Sequence, residues 1–207
     1  MELSMKTSRQ EQFSVRYQKI LAVSEELLLD HYQDMTLDDL AKELDIAKGT
    51  LYKHFKSKNE LLLELVIQNE KRVLAISHQY QDDFIGYAKA YMLYHLRAPE
   101  KIIILHQIEE QLTTTESGLK ELFQQLYDIR QQRILCIKDM TKDYLDQFQS
   151  NISIRDYLSY VWSLIYGACL LLNSSYYQRS IGSREKLIEL YIHQALTIPS
   201  QQELNFS

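Results

Sequence analysis

Residues 36–55 of the chain read TLDDLAKELDIAKGTLYKHF, a stretch in which apolar residues recur at helical steps on either side of a short polar break. The spacing predicts two short helices, roughly residues 37–44 and 48–55, joined by a three-residue turn. Ala41 supplies the small side chain that lets the two helices cross closely. The apolar set comprises Leu37, Leu40, Leu44, Ile46, Leu51 and Phe55. This arrangement is typical of a helix-turn-helix motif.

The second half of this motif is basic, although the chain as a whole is acidic. The sequence contains 23 Lys and Arg residues against 28 Asp and Glu residues, which gives a net charge of −5. A protein with this balance does not attract a polyanion over its whole surface, so a nucleic-acid site must be a local patch. The segment 47–58 contains Lys48, Lys53, Lys56 and Lys58 and no acidic residue. Within a helix-turn-helix pattern, such a cluster favours a DNA-contacting surface over a merely solvated face.

The start of the second motif helix is the part that would enter a major groove. At Gly49 the backbone can come close to DNA, and Thr50 offers a hydroxyl and a methyl group to base edges. At Ser57 a new helix starts, whose free amides suit a phosphate oxygen. For Tyr52, packing against the first helix is an equal alternative. The predicted DNA-binding residues are Thr36, Lys48, Gly49, Thr50, Tyr52, Lys53, His54 and Lys58.

The rest of the sequence predicts an all-α protein of about nine helices. Only five glycines and two prolines occur, which argues strongly against the repeated tight turns of a sandwich or barrel. The residues from Phe13 to His31 recur at three- and four-residue steps and predict a long first helix. Later helices are expected to begin near residues 57, 83, 99, 119, 153 and 183, the one from residue 153 ending near residue 177. We predict a DNA-binding domain over residues 9–66 and a second domain over residues 67–198.

The composition also limits the class of protein. The two cysteines are too few for a disulfide framework or a structural zinc site, and no cluster of carboxylate, His or Cys residues has metal-ligand spacing. We therefore expect no metal and no cofactor. The absence of a signal-peptide core and of an apolar stretch of membrane-spanning length predicts a cytoplasmic protein without a membrane partner.

The stretch AKGTLYKHFKSKNELL, residues 47–62, resembles the end of the helix-turn-helix domain in TetR-family transcriptional repressors. The resemblance covers about residues 13–65. It implies an all-helical homodimer with an N-terminal DNA-binding domain and a divergent ligand-binding domain behind it. Three positions depart from the family's pattern, because Asp34, Asp45 and Ala47 stand where Gly, Gly and Ser are usual. We expect Asp45 to adopt the left-handed turn conformation and Ala47 to leave its helix start without a side-chain cap.

The resemblance implies that a small organic effector binds among the C-terminal helices. The helix over residues 83–97 carries aromatic residues on related faces, so a polar-tipped aromatic wall is one interpretation and ordinary core packing is the other. The candidate ligand-binding residues are Tyr87, Tyr91, Tyr94, His95, His106, Tyr127, Trp162 and Tyr166. The abundance of apolar surface predicts an uncharged, anionic or amphiphilic organic molecule.

The last two helices, at residues 153–177 and 183–198, fit the family's dimer interface, since small residues at Gly167 and Ala168 would let helices approach closely. The function predicted is that of a ligand-responsive regulator, a repressor, which binds an inverted-repeat DNA operator as a homodimer. The alternative is an all-helical enzyme or adaptor that keeps the fold without binding DNA. No catalytic motif of the common hydrolase, metalloprotease, nucleotide-binding or di-iron types is present, so we predict that the chain is not an enzyme.

Overall fold

Helices account for nearly all of the chain that the structure, a computed structural model, describes: residues 2–30, 35–115, 118–180 and 183–200. No strand occurs among these residues, which confirms the all-α prediction. The helices are α1 (Glu2–Asp30), α2 (Leu37–Glu43), α3 (Lys48–Leu51), α4 (Lys58–Gln79), α5 (Phe84–Leu96), α6 (Pro99–Thr115), α7 (Lys120–Gln147), α8 (Ile154–Leu172), α9 (Ser175–Ser180) and α10 (Arg184–Thr197), followed by one 3-10 turn (Ile198–Ser200).

Three helices begin at the caps that the sequence predicts. The Thr36 hydroxyl accepts a hydrogen bond from the Asp39 amide at 3.1 Å, and the Asp39 carboxylate accepts one from the Thr36 amide at 3.2 Å. Ser57 caps α4 through the Glu60 amide, and Ser153 caps α8 through the Asp156 amide, both at 3.1 Å. These bonds satisfy amides that have no partner within the first helical turn.

Two helix boundaries in the N-terminal part of the chain differ from the predicted ones. The first helix extends back to Glu2, well before the stripe that predicts it, while His31 and Asp34 lie outside the described residues. The second motif helix ends at Leu51, because the amides of Lys53 and His54 bond three residues back, to Thr50 and Leu51, as in a tight turn.

The helix predicted over residues 153–177 is two helices, α8 and α9. Asn173 caps the end of α8, and the Ser174 hydroxyl accepts a hydrogen bond from the Tyr177 amide at 3.4 Å at the start of α9. Short polar side chains of this kind stabilise helix ends over helix interiors. The described residues therefore contain ten α-helices, against about nine predicted.

The buried apolar residues that the structure describes form two cores. The first joins α1, α2, α3 and the N-terminal part of α4 to α6 and α7; it includes Ile20, Leu40, Leu51 and Ile108. The second joins α5, α8, α10 and the C-terminal half of α7 to Val73 of α4 and to Ile102 and Ile103 of α6. Since α4 runs unbroken through residues 66 and 67, the predicted domain boundary falls inside a helix that contributes to both parts of the molecule.

Candidate functional site

The α2–α3 unit presents the start of α3 to solvent. Asp45 in the turn has a φ of 51°, the left-handed conformation expected of it, and Ala47 provides no side-chain cap for α3, also as predicted. Gly49 is exposed, and a side chain there would meet no atom within 4 Å. Thr50 is half-buried beside it, and the Tyr52 ring is 45% exposed. The turn of α3 that would enter a groove is therefore accessible.

The lysines of segment 47–58 are not equivalent. Lys48 forms an ion pair with Asp38 of α2 at 2.5 Å, and this hydrogen bond raises the pKa of Lys48. Lys53, Lys56 and Lys58 form no ion pair with any residue that the structure describes. The positive charge of segment 47–58 is therefore partly neutralised at Lys48, because Asp38, ten positions earlier in the chain, lies next to Lys48 in space. The three other lysines keep their charge available for phosphates.

His54 and Thr36 also have roles within the fold. The His54 ring stacks on Phe13 of α1, with ring centroids 4.0 Å apart, and its Nδ1 atom is buried without a partner among the described residues. Burial and the nearby Arg16 lower the pKa of His54, so the ring is neutral at pH 7. Thr36 is exposed while it caps α2. Their contact with DNA stays a prediction.

The second feature is a cavity of about 830 Å³ that is lined by α4, α5, α6, α7 and α8 and open to solvent on one side. Five of the predicted ligand-binding residues line it: Tyr87, Tyr91, His95, His106 and Trp162. The first three lie four residues apart on one face of α5. Their rings contact each other in series, the centroids of Tyr87 and Tyr91 being 5.6 Å apart and those of Tyr91 and His95 4.7 Å apart.

The other three candidates are not among the residues that line the cavity. The Tyr94 hydroxyl donates to Asn69 Oδ1 at 2.8 Å, and Tyr127 is 58% exposed on α7. Tyr166 contacts two residues that line the cavity: its ring centroid lies 4.9 Å from that of His106 and 6.3 Å from that of Trp162. Tyr94 follows Tyr91 by three positions, whereas the lining tyrosines and histidine of α5 repeat every four, so its side chain is directed to Asn69 of α4 instead.

None of the charged residues of the cavity wall was predicted from the sequence, and four of them, on α4, α6 and α7, form one cluster. Arg130 of α7 donates to both carboxylate oxygens of Glu109, at 2.5 and 2.8 Å, and lies 3.3 Å from Glu70. Arg133 lies one turn further along α7, with Nε 3.8 Å from Glu70 Oε2. The sequence does mark the two arginines as unusual, because Arg130 and Arg133 interrupt the apolar stripe that runs from Leu126 to Ile137.

Electrostatics inside the cavity keep His95 neutral. Its side chain is 2% exposed, and burial, together with the charges of Arg133 and Lys101, lowers the pKa of His95 to about 3. Burial likewise raises the pKa of both Tyr87 and Tyr91. At neutral pH the α5 face of the cavity therefore offers uncharged polar groups, and the permanent charges lie on other helices.

An ion-pair cluster connects α1 to two of the helices around the cavity. Glu25 of α1 binds Arg72 of α4, with oxygen and nitrogen atoms 2.7 to 2.9 Å apart, and also pairs with Lys101 of α6. The Lys101 ammonium lies over the ring of Tyr94, 5.6 Å from its centroid. This cluster, hereafter the Glu25 cluster, ties α1 to α4 and α6.

Two findings limit other kinds of site. In the part of the chain that the structure describes, no three His, Cys, Asp or Glu residues are grouped so that they could hold a metal ion. Within the same residues, no helix is both long and apolar enough to cross a membrane.

Comparison with known proteins agrees with this geometry. The family model described as "Bacterial regulatory proteins, tetR family" matches residues 20–65. Among solved structures, a tetR-family regulatory protein from Rhodococcus RHA1 is similar to this chain with a TM-score of 0.67 and 18% identity, over 90% of this chain and 98% of that one. No curated protein matches the chain significantly.

Two further solved structures share the fold. The TetR-family transcriptional regulator PfmR from Thermus thermophilus has a TM-score of 0.63 and 18% identity, over 86% of this chain and 96% of that one. The fatty acid degradation regulator FadR from Bacillus halodurans has a TM-score of 0.60 and 16% identity, over 87% and 94% of the two chains. The matched family is one of regulatory proteins rather than enzymes, in agreement with the sequence prediction. Residues 20–65 thus match the model of the tetR family of bacterial regulatory proteins, and the chain shares its overall fold with solved regulators named as members of that family.

Proposed function

We propose that the protein is a ligand-responsive repressor that binds an inverted-repeat DNA operator as a homodimer. The observation that carries the DNA-binding part is the accessible start of α3, where Gly49 is open to solvent. It is followed in the chain by Lys53 and Lys58, which have no ion-pair partner among the described residues. An enzyme or adaptor that had lost DNA binding would have no need to keep these lysines free of acidic neighbours. We place the predicted contacts at the start of α3 and at the N-terminus of α4.

The test of this proposal is selection of bound sequences from a random duplex library by the purified full-length chain. We expect an inverted repeat whose half-sites are one helical turn apart, about 34–36 Å, or a multiple of it. Affinity for the selected duplex should fall with salt, with a log–log slope of about −0.9 for each phosphate that is neutralised. Failure to bind any duplex at low salt would contradict the proposal, and a selected site without symmetry would contradict the homodimer.

The homodimer proposal is supported by apolar surface on the last helices. Leu170 and Leu171 at the end of α8, Tyr176 on α9 and Leu190 on α10 are exposed by between 40% and 79%. A side chain at Gly167 of α8 would meet no atom within 4 Å in the monomer. Exposed apolar side chains around an open, small-residue position suit the close approach of helices from a second chain.

We expect Gly167→Leu to weaken the dimer without destabilising the monomer. The monomer has room for the new side chain, and replacing a helical glycine favours the helix by up to about 1 kcal/mol. A partner helix packed on Gly167 would be displaced. Light scattering should show the wild type at twice 24.5 kDa and the variant shifted toward 24.5 kDa. Gln125→Leu, on the exposed face of α7, is the control, and an unchanged mass for Gly167→Leu would remove this face from the interface.

The cavity and the Glu25 cluster support the ligand-responsive part. A molecule bound against α5 and α7 would alter the position of α4, which contributes both Glu70 to the cavity and Arg72 to the Glu25 cluster. α1 packs on the motif and is joined to α4 through Glu25. The ligand would act by binding one arrangement of these helices more tightly than the other, since only unequal affinity can shift such an equilibrium.

A further inference from the structure

The cavity wall contains buried polar atoms that have no hydrogen-bond partner among the described residues. They are the Tyr87 hydroxyl, both ring nitrogens of His95, Arg133 Nε and Glu70 Oε2. The first two side chains are 3% and 2% exposed. Buried polar groups in folded proteins are nearly always paired, and an unpaired one is costly. Because all four residues line one cavity, a bound molecule is the natural source of the missing partners.

The charges around the cavity favour an anion. Arg130 and Arg133 face Glu70 and Glu109 in the interior, so these four charges balance. At the exposed rim, Lys138 and Arg155 outnumber Glu110. Among the residues that the structure describes, four basic and three acidic ones therefore line the cavity, and each of the four basic ones is an Arg or a Lys, which keeps its charge at neutral pH. A cationic ligand would add to a surplus of positive charge.

Arg133 is the basic residue of the cavity wall that still has a hydrogen-bond donor available for a ligand. Arg130 already holds Glu109 through two hydrogen bonds, whereas the 3.8 Å between Arg133 Nε and Glu70 is too long for one. A guanidinium offers five N–H donors in a planar fork that matches a carboxylate. The Tyr87 hydroxyl lies close enough to Arg133 for the guanidinium to oppose the rise that burial causes in the pKa of Tyr87, yet it forms no hydrogen bond of 3.5 Å or less with a described residue. Both groups can therefore donate to one ligand head.

The remaining wall is apolar and aromatic. It includes Phe84, Ala88, Ile134, Val161 and Trp162. We infer that the cavity binds an organic acid, a molecule with one carboxylate head and an apolar body, and that Arg133 and Tyr87 hold the head. This inference rests on the proposed function in that it names the effector's chemical class. The neutral His95, whose ring also contacts that of Tyr91, would bind a polar substituent on the body.

An organic cation is the rival ligand class, because aromatic walls attract cations. Loss of the charge of Glu70 or of Arg133 should change the affinities for the two ligand classes in opposite directions. A carboxylate competes with Glu70 for Arg133, so removal of the Glu70 charge should strengthen binding of an acid and weaken binding of a cation. Removal of the Arg133 charge should do the reverse.

The experiment uses Trp162 as the reporter, since it is the only tryptophan of the chain and lines the cavity. The purified full-length protein, without DNA, is titrated with decanoate, 1-decanol and decylammonium below their aggregation concentrations, and Trp162 fluorescence is followed. These probes have equal chains and differ in head charge. We expect decanoate to bind about 10- to 100-fold more tightly than the other two, the range of a charge-assisted hydrogen bond.

The variants then assign the head group. Arg133→Met should weaken decanoate binding about 10- to 100-fold and affect 1-decanol binding far less, because an alcohol accepts only a neutral hydrogen bond from the guanidinium. Glu70→Gln should strengthen decanoate binding. Lys142→Met, which removes an exposed cation that is not part of the cavity wall, is the matched control. Thermal unfolding checks that each variant folds. If Arg133→Met does not fold, the head group is assigned with the other two variants: Tyr87→Phe should weaken decanoate binding about 3- to 10-fold, and Glu70→Gln should strengthen it.

The inference would be overturned by any of four results. These are equal affinities for the three probes, tightest binding of decylammonium, no binding of decanoate, and unchanged decanoate affinity in Arg133→Met. The assay contains no DNA, so it is independent of operator recognition. Decanoate that binds as described but leaves the operator complex intact would contradict the ligand-responsive part of the proposed function and leave the assigned ligand class standing.

Discussion

Replacing both Lys53 and Lys58 with glutamate is expected to lower the affinity for duplex DNA on the order of 10³-fold at low salt. Lys53 is exposed in the turn after α3, and Lys58 is the first residue of α4. Neither has an ion-pair partner among the described residues, so neither charge is needed to hold the fold. Each replacement removes one favourable phosphate contact and adds one repulsion. The measurement is equilibrium binding to the selected operator at several salt concentrations, where the log–log slope should also become shallower by about 0.9 per lost contact.

The matched control is Lys89→Glu with Lys120→Glu, two exposed lysines on α5 and α7. It changes the net charge by the same amount and should alter affinity far less, because the lost charge is not at the interface. An equal loss in both double variants would show that only the overall charge matters. The interpretation of segment 47–58 as the DNA-contacting surface would then fail.

A substitution at Asp38, which pairs with Lys48, should change DNA affinity in the opposite direction. Asp38→Asn removes the acidic partner and should increase DNA affinity severalfold at low salt, with the gain fading as salt screens the patch. Its control is Asp146→Asn, which breaks the exposed Lys142–Asp146 pair of 2.7 Å on α7 and should leave DNA affinity unchanged. Weaker binding by Asp38→Asn would mean that Asp38 positions Lys48 for its contact.

The motif could be predicted from the sequence because its determinants are local. Thr36 and Asp39 cap α2, the left-handed Asp45 forms the turn, and the uncapped Ala47 precedes α3, and each of these features depends on neighbours within a few residues. Interactions between residues distant in sequence could not be predicted in the same way. The Lys48–Asp38 pair and the stacking of His54 on Phe13 depend on how three helices cross.

The cavity shows the same contrast. Aromatic residues four positions apart on α5 predict one wall, and the structure brings Tyr87, Tyr91 and His95 to it. The opposite wall was missed because Arg130 and Arg133 lie on a long helix whose polar residues mostly face solvent. Only their position within an apolar stripe distinguishes them, and the partners of Arg130, Glu109 and Glu70, are 21 and 60 residues away.

Glu25→Gln is expected to reduce the free energy of unfolding by about 2–3 kcal/mol at pH 7, since the variant removes the charge that Arg72 and Lys101 share. Lys101 is the more buried partner, with a side chain 14% exposed. The effect is large compared with the roughly 5–15 kcal/mol that stabilises an ordinary folded protein. Urea unfolding of wild type and variant measures the difference, with Glu26→Gln, a neighbour on α1, as the control.

The same difference should depend on pH. Burial raises the pKa of Glu25, but the hydrogen bonds and charges of Arg72 and Lys101 outweigh it and hold the pKa below its ordinary value of 4.5. A carboxylate whose pKa is lower in the folded state stabilises the fold fully above the unfolded-state pKa and loses that contribution as the pH falls through the folded-state pKa. The stabilities of wild type and Glu25→Gln should therefore differ most at pH 7 and converge below pH 4.5.

The Glu25 cluster should also affect the response to ligand, because it is an ion-pair link between α1 and the helices around the cavity. We expect Glu25→Gln to bind decanoate at the cavity as tightly as the wild type does, since the residue is not part of the wall. Release of the operator by the same ligand should be weaker, as α4 and α6 would shift with less effect on α1. Operator release that is unchanged in Glu25→Gln would show that the coupling runs through α4 alone, whose N-terminal half packs in the same core as the motif.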